Sequence, residues 1–193
     1  MPKKDAMVQF HQENILLAAD RLFVKHGIQN TSMDMVAKEA HYSKATIYVY
    51  FRSKEEIFLR LVSHCAAEFN DAMKQLLERH MPYKEKYMAI CLETARFSEE
   101  KPVYFEGFLQ YSQLVPESNA TSRILYDLLD EGIRSGMIRS AYRKEELALY
   151  FWASMTGIIQ TVTLRQKELE EKNLERNAFL RFGFLRLLDS VKM

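Results

Sequence analysis

Apolar residues recur at intervals of three and four along nearly the whole chain, the period of a helix with one buried face. Ile15, Ala18, Ala19, Leu22 and Phe23 mark a first helix over 8–26, and Gly27 follows as its C-terminal cap. Met33, Val36, Ala37 and Ala40 mark a short second helix, opened by Thr31 with Asp34 in the capping-box position. A break at His41-Tyr42-Ser43 precedes 44–51, and Ser53 with Glu56 forms another capping box opening a long helix. Its apolar row, from Ile57 and Phe58 to Leu76 and Leu77, runs to about residue 79, and Pro82 closes it. Further helices follow, with breaks near Lys101-Pro102, Val115-Pro116 and Ser135-Gly136.

The segment 44–51, KATIYVYF, breaks the local pattern. Its β-branched and aromatic residues are strand formers, yet it lies between helices. At helical spacing Ile47 and Phe51 share an inner face. Lys44, Ala45, Thr46, Tyr48, Val49 and Tyr50 are left on the others. Three helices with a short break before the third form the helix-turn-helix pattern, whose last helix enters the major groove. There, small residues allow close approach, methyl groups meet thymine methyls, and hydroxyls reach phosphates and base edges. A plain three-helix packing unit is the alternative.

Composition narrows the class. The chain has 193 residues, and its 6 Gly and 4 Pro are too few for the turns of an all-β fold. Cys65 and Cys91 show no paired spacing and read as reduced, buried thiols. The N-terminal stretch has no apolar run of signal-peptide length. Residues 147–164 carry no charge, but Ser154, Thr156, Gly157, Gln160, Thr161 and Thr163 interrupt them. A helix buried in protein or at an oligomer interface is expected there, not a membrane span. Net charge is +1, with nine Lys and Arg against seven Asp and Glu in residues 1–60. That asymmetry is too small to signal nucleic acid by itself. The five histidines make no metal-binding spacing, and no Gly-rich phosphate loop or activated nucleophile stands out, so no metal, cofactor or catalytic residue is expected. A helical enzyme and a ligand-binding helical protein that does not bind DNA remain the rival classes.

The chain resembles the TetR (tetracycline-repressor) family of bacterial transcription regulators. The resemblance rests on Thr31, Ser32, Val36, Ala37, Ala40, Ser43, Thr46, Ile47, Tyr48, Tyr50, Phe51, Ser53, Lys54, Glu55 and Ile57, all at the family's spacings. His41 and Tyr42 depart from it, standing where the family has Gly and a small aliphatic residue. Gly at such a turn serves a left-handed backbone, which His tolerates less well. The resemblance implies an all-α fold: a DNA-binding domain at 1–53, then a ligand-binding and dimerisation domain at 54–193, linked by helix 54–79. It implies bases or adjacent phosphates for Lys44, Ala45, Thr46, Val49 and Tyr50, with Ser43 beside them, and phosphates for Tyr48 and Lys54. Thr31 and Ser32 read equally as helix caps and as phosphate contacts, and Lys3 and Lys4 as a solvated tail or a loose arm on DNA. The implied protein is a cytoplasmic repressor on a palindromic operator, released by a small inducer.

Two expectations concern the remainder. The last helix, about 171–190, is apolar nearly all round, as is 147–164. Each needs covering on two sides, so both read as a dimer interface forming a four-helix bundle. Met155, Ile159, Leu174, Ala178, Phe182 and Leu185 are its expected contacts; the core of a monomer is the alternative. A two-turn reading helix spans only ~12 Å, so tight binding needs two of them. Aromatic residues between reader and bundle either pack as core or line an inducer pocket. The expected lining is Tyr87, Phe97, Tyr104, Phe108, Tyr111, Tyr126 and Trp152, with Glu93 as a carboxylate, which suits an apolar or aromatic ligand.

Overall fold

The computed structural model describes residues 2–139 and 141–192, with side chains from Asp5 onward; Lys3 and Lys4, the expected arm, lie outside the described side chains. Ten α-helices are described: α1 (Pro2–His26), α2 (Met33–Glu39), α3 (Lys44–Tyr50), α4 (Lys54–Glu78), α5 (Tyr83–Glu100), α6 (Pro102–Tyr111), α7 (Glu117–Arg134), α8 (Lys144–Leu164), α9 (Gln166–Glu171) and α10 (Arg176–Asp189). A 3-10 turn, Ser112–Leu114, follows α6, and there is no strand among the described residues.

The chain divides into two compact units. The first comprises residues 1–66 and 101–116. Its core is the helical row read from the sequence: Ile15, Ala18, Ala19 and Phe23 of α1 are buried with Val36 and Ala37 of α2, Ile47 of α3 and Ile57 of α4. Ser53 caps α4 as expected, its Oγ accepting from the Glu56 N–H at 3.2 Å, while the Glu56 carboxylate reaches one residue further back than a capping box would, accepting from the Arg52 N–H at 2.7 Å.

Helix α6 joins this unit although it lies far along the chain from Phe58 and the expected domain boundary fell at residue 53. The cause is aromatic packing: Phe58 meets Phe23 edge-on at 5.6 Å and Tyr104 at 6.0 Å, and the Tyr104 hydroxyl donates to Asp20. A Cβ built on Gly107 would lie 2.7 Å from the Phe58 ring and 2.8 Å from Val62, so only glycine lets α6 lie this close to α4.

The second unit comprises residues 67–100 and 117–193. Phe69 of α4 stacks on Phe97 of α5 at 4.7 Å. The buried Asn70 amide donates to the Glu117 carbonyl at 2.9 Å and accepts from the Thr121 hydroxyl at 2.7 Å, so both its nitrogen and its oxygen have a partner. Lys86 of α5 pairs with Glu131 of α7 at 2.9 Å.

Helices α8 and α10 pack together, and the long final helix expected from about residue 171 is shorter than its periodicity suggested. Asn173 takes a positive φ of 53°, and Glu175 caps α10 by accepting from the Asn177 and Ala178 N–H groups at 3.1 and 2.6 Å. A residue whose side chain closes a helix N-terminus cannot also continue the helix before it, so Leu174 lies in the break.

Candidate nucleic-acid interface

The reader begins with how α2 ends. His41 has φ 58°, its N–H bonds the Lys38 carbonyl at 3.3 Å, and the Tyr42 N–H bonds the Ala37 carbonyl at 3.0 Å. These two bonds define a Schellman cap, normally built on glycine. The turn keeps that geometry with histidine in the left-handed region, so His41 bears the strain.

Ser43 then caps α3, its Oγ accepting from the Thr46 N–H at 3.0 Å and lying 2.8 Å from Thr46 Oγ1. Ile47 and Phe51 anchor the inner side at 0% and 5% exposure. Tyr48 and Val49 stand outward at 48% and 75%, with Lys44 and Ala45 also exposed and Thr46 and Tyr50 half-buried. A seven-residue helix has little stability alone. It forms here because Ser43 closes one end and the core holds one face, which leaves its strand-forming residues free to face solvent.

Several expected contacts are placed otherwise. Lys44 pairs with Asp34 at 2.9 Å; the hydrogen bond and charge of that carboxylate hold its ammonium above the ordinary lysine range. Thr31 is 2% exposed and donates its hydroxyl to the Gly27 carbonyl at 2.9 Å, so it is an internal tie with no surface to offer. The exposed Ser32, not Thr31, caps α2 by accepting from the Met35 N–H at 3.2 Å.

Lys54 is the sharpest departure. Its ammonium donates to the carbonyls of Ile28 at 2.7 Å, Gln29 at 3.2 Å and Thr31 at 2.9 Å. All three of its donors are spent on the loop after α1. The cation expected to meet a phosphate ties the start of α4 to the loop before α2, an arrangement invisible to a motif that fixes spacing but not partners.

The expected inducer residues split between the units. In the first, Tyr104 and Phe108 are buried, and Tyr111 meets Phe58 edge-on at 6.3 Å. In the second, Tyr87 is buried with its hydroxyl donating to the Phe184 carbonyl at 2.9 Å, and Phe97 stacks on Phe69. Glu93 pairs with Arg96, Tyr126 is half-buried under the Lys144 ammonium at 5.5 Å, and Trp152 is half-buried. None of the eight lines either described cavity of that unit. One, of about 240 Å³, lies among Tyr142, Glu146, Tyr150 and Ser190; the other, of about 320 Å³, lies between α4 and α7 beside Lys74, Leu77, Arg123 and Ile124. These aromatics pack chiefly as core, the alternative that their helical spacing left open.

The expected dimer contacts are partly re-aimed as well. Met155 and Ile159 are 5% and 1% exposed, buried within their own unit, so they cannot meet a partner. The outward face of α8 is Leu149, Ala153, Gly157, Gln160 and Leu164. On α10, Ala178 and Phe182 are exposed and Leu185 is half-buried, while Leu174 is exposed in the preceding break. Gly183 faces α8, where an added Cβ would lie 2.9 Å from Ile158.

A short helix locked on its inner face, and held across a left-handed turn from a second short helix, is a helix-turn-helix of the DNA-reading kind. Comparison with known proteins agrees. Residues 15–61 match the model of bacterial regulatory proteins of the tetR family. An uncharacterised HTH-type transcriptional regulator of Haemophilus influenzae is 29% identical over 102 residues, 53% of this chain and 54% of that protein, so the match spans about half of that relative's length. Two solved structures share the fold at low identity. The fatty acid degradation regulator FadR of Bacillus halodurans has a TM-score of 0.72 at 18% identity, covering 92% of this chain and 94% of that one. The transcriptional regulator FadR of Bacillus subtilis, in complex with stearoyl-CoA, has a TM-score of 0.70 at 20% identity, covering 89% and 97%. Residues 15–61 are thus similar in sequence to bacterial regulatory proteins of the tetR family, and the chain shares its fold with the two solved regulators.

Proposed function

We propose that this protein is a homodimeric, cytoplasmic repressor that reads a palindromic operator through α3 and is released by a small apolar ligand. The observation that carries the reading is the outward face of α3, where Tyr48 and Val49 stand in solvent beside Ala45 while Ile47 is fully buried. Two large side chains left in solvent on a seven-residue helix gain nothing from burial in the protein, and a DNA groove is what covers them. Ser43, Lys44, Thr46 and Tyr50 complete the face; Ser32 lies at the start of α2.

A second copy of the chain covers the outward faces of α8 and α10. Leu149, Leu164 and Phe182 are exposed there on two adjoining helices, with Ala153 and Gly157 small enough for a partner helix to approach. A two-fold pair presents two readers, and a palindrome with half-sites about 34–36 Å apart is its natural target. Helix α4 contributes residues to both units, so a ligand favouring one setting of α4 shifts the reader. Typical coupling of about 1–3 kcal/mol weakens operator binding roughly 5- to 150-fold. Long-chain acyl-CoA is the first ligand to try, because the Bacillus subtilis structure of like fold holds stearoyl-CoA.

Fluorescence anisotropy tests the reading, using duplexes selected by the protein from a random-sequence pool and titrated across salt. A regulator shows a steep salt slope, about 0.9 per phosphate neutralised, and preference for one palindrome. Thr46→Ala erodes preference at one base position by about 1–3 kcal/mol. Equal affinity for every duplex rules the reading out. Melting with stearoyl-CoA, against coenzyme A alone, tests the ligand: a binder of the native state raises Tm.

A further inference from the structure

The first unit holds a polar and aromatic cluster between α1 and the reader. His11 Nδ1 lies 2.7 Å from the Tyr42 hydroxyl, and the Asn14 amide donates to the same oxygen at 3.4 Å. The Tyr42 oxygen is thus within hydrogen-bond distance of two side chains of α1. The His11 ring also lies edge-on to Tyr42 at 5.5 Å and tilted against Tyr50 at 5.6 Å.

Tyr42 and Tyr50 bracket the reader. Tyr42 is the last residue of the Schellman cap, immediately before the Ser43 cap of α3, and Tyr50 is the final residue of α3. A single side chain of α1 therefore touches both ends of the reading helix. Ile47 and Phe51 hold that helix on one line along its inner face, so its rotation about that line is set by contacts elsewhere on it, Lys44 to Asp34 among them. Contacts at either end oppose it. All four residues of the cluster are half-buried, so their hydrogen bonds compete with water and add little to stability. What such bonds supply at this place is direction.

We propose that His11, acting through Tyr42 and Tyr50, is a positioning residue of the DNA reader, which sets the roll of α3 and the aim of the Tyr50 hydroxyl. The inference rests on the reading that α3 meets DNA. It also gives the tyrosine at position 42 a role: the larger residue reaches α1, where a small aliphatic side chain in the same turn would end short of His11.

The test is a double-mutant cycle on the full-length chain. Its readout is the ratio of affinities for a duplex selected by the wild-type protein and a scrambled duplex of equal composition. Loss of folded protein alone lowers both affinities and leaves the ratio unchanged. His11→Phe and Tyr42→Phe are each expected to lower the ratio about tenfold, and His11→Phe to cost less than about threefold once Tyr50→Phe is present, as coupled neighbours do. If His11→Phe does not fold, Tyr42→Phe, which removes one hydroxyl, carries the same cycle. An unchanged ratio, or equal losses with and without the Tyr50 hydroxyl, overturns the positioning role while leaving DNA reading intact. A wild-type chain that selects no duplex overturns both.

Discussion

Single residues carry the turn. His41 adopts φ 58°, a conformation costing an L-residue with a Cβ about 1–2 kcal/mol. His41→Gly relieves that strain and returns part of the gain as unfolded-chain entropy. A net stabilisation of about 1 kcal/mol is expected in urea unfolding. Lys54→Ala should act in the opposite direction. It strips three carbonyls of a charged donor, and a loss of about 1–3 kcal/mol is expected from the same measurement. Cys91 shows how burial sets chemistry: desolvation pushes its thiol up from 9.0 to about 12, with its neighbour Tyr87 acting the other way. The folded chain therefore keeps this proton to higher pH than the unfolded one. The resulting stability is complete below pH 9 and drains away as pH rises towards 12. Tyr83, Tyr87 and Tyr104 are raised by burial too and push the same way. Melting curves should fall steeply through alkaline pH, with a shallower slope in Cys91→Ala.

Helices meet where side chains are absent as much as where they are large. Gly107 allows α6 to reach Phe58 and Val62, and nothing in its local sequence says so. Gly107→Ala improves helix propensity by about 1 kcal/mol but drives a methyl group into an aromatic ring, which costs about 1–3 kcal/mol. Thermal unfolding should register net destabilisation; a higher Tm would mean that α6 sits further from α4. The element pattern itself was legible. The end of α1 and the bounds of α3 and α4 follow from caps and periodicity, both of which act within a few residues, whereas α1 begins at Pro2, before the apolar row that marked it from residue 8. The break at Asn173 was not legible, because apolar rows continue across it and only the Glu175 cap, made in the folded chain, ends the run.

At the scale of the whole molecule the test is association. Phe182→Glu places a charge on the exposed face of α10, outside the folded core, at 61% exposure in the single chain. Sedimentation velocity should show a dimer for the wild type and a monomer for the variant. A single reader forfeits the second half-site, and operator affinity should fall by about a hundredfold or more. A monomeric wild type would remove the proposed symmetric pair.

The sequence by itself determined the class: helices with one buried face, a short one bearing residues that no core needed, and a turn placed to hold it. Caps and periodicity are local, so they can be read in order along the chain. Tertiary structure decided the partners. Lys54 finds carbonyls 23 to 26 residues away, Tyr42 finds His11 across 31, and α8, apolar on nearly every side, turns Met155 and Ile159 inward and Leu149 and Leu164 outward. A helix without a polar face carries no mark of which side will meet water, and the packing of α5, α7 and α10 against it makes the choice.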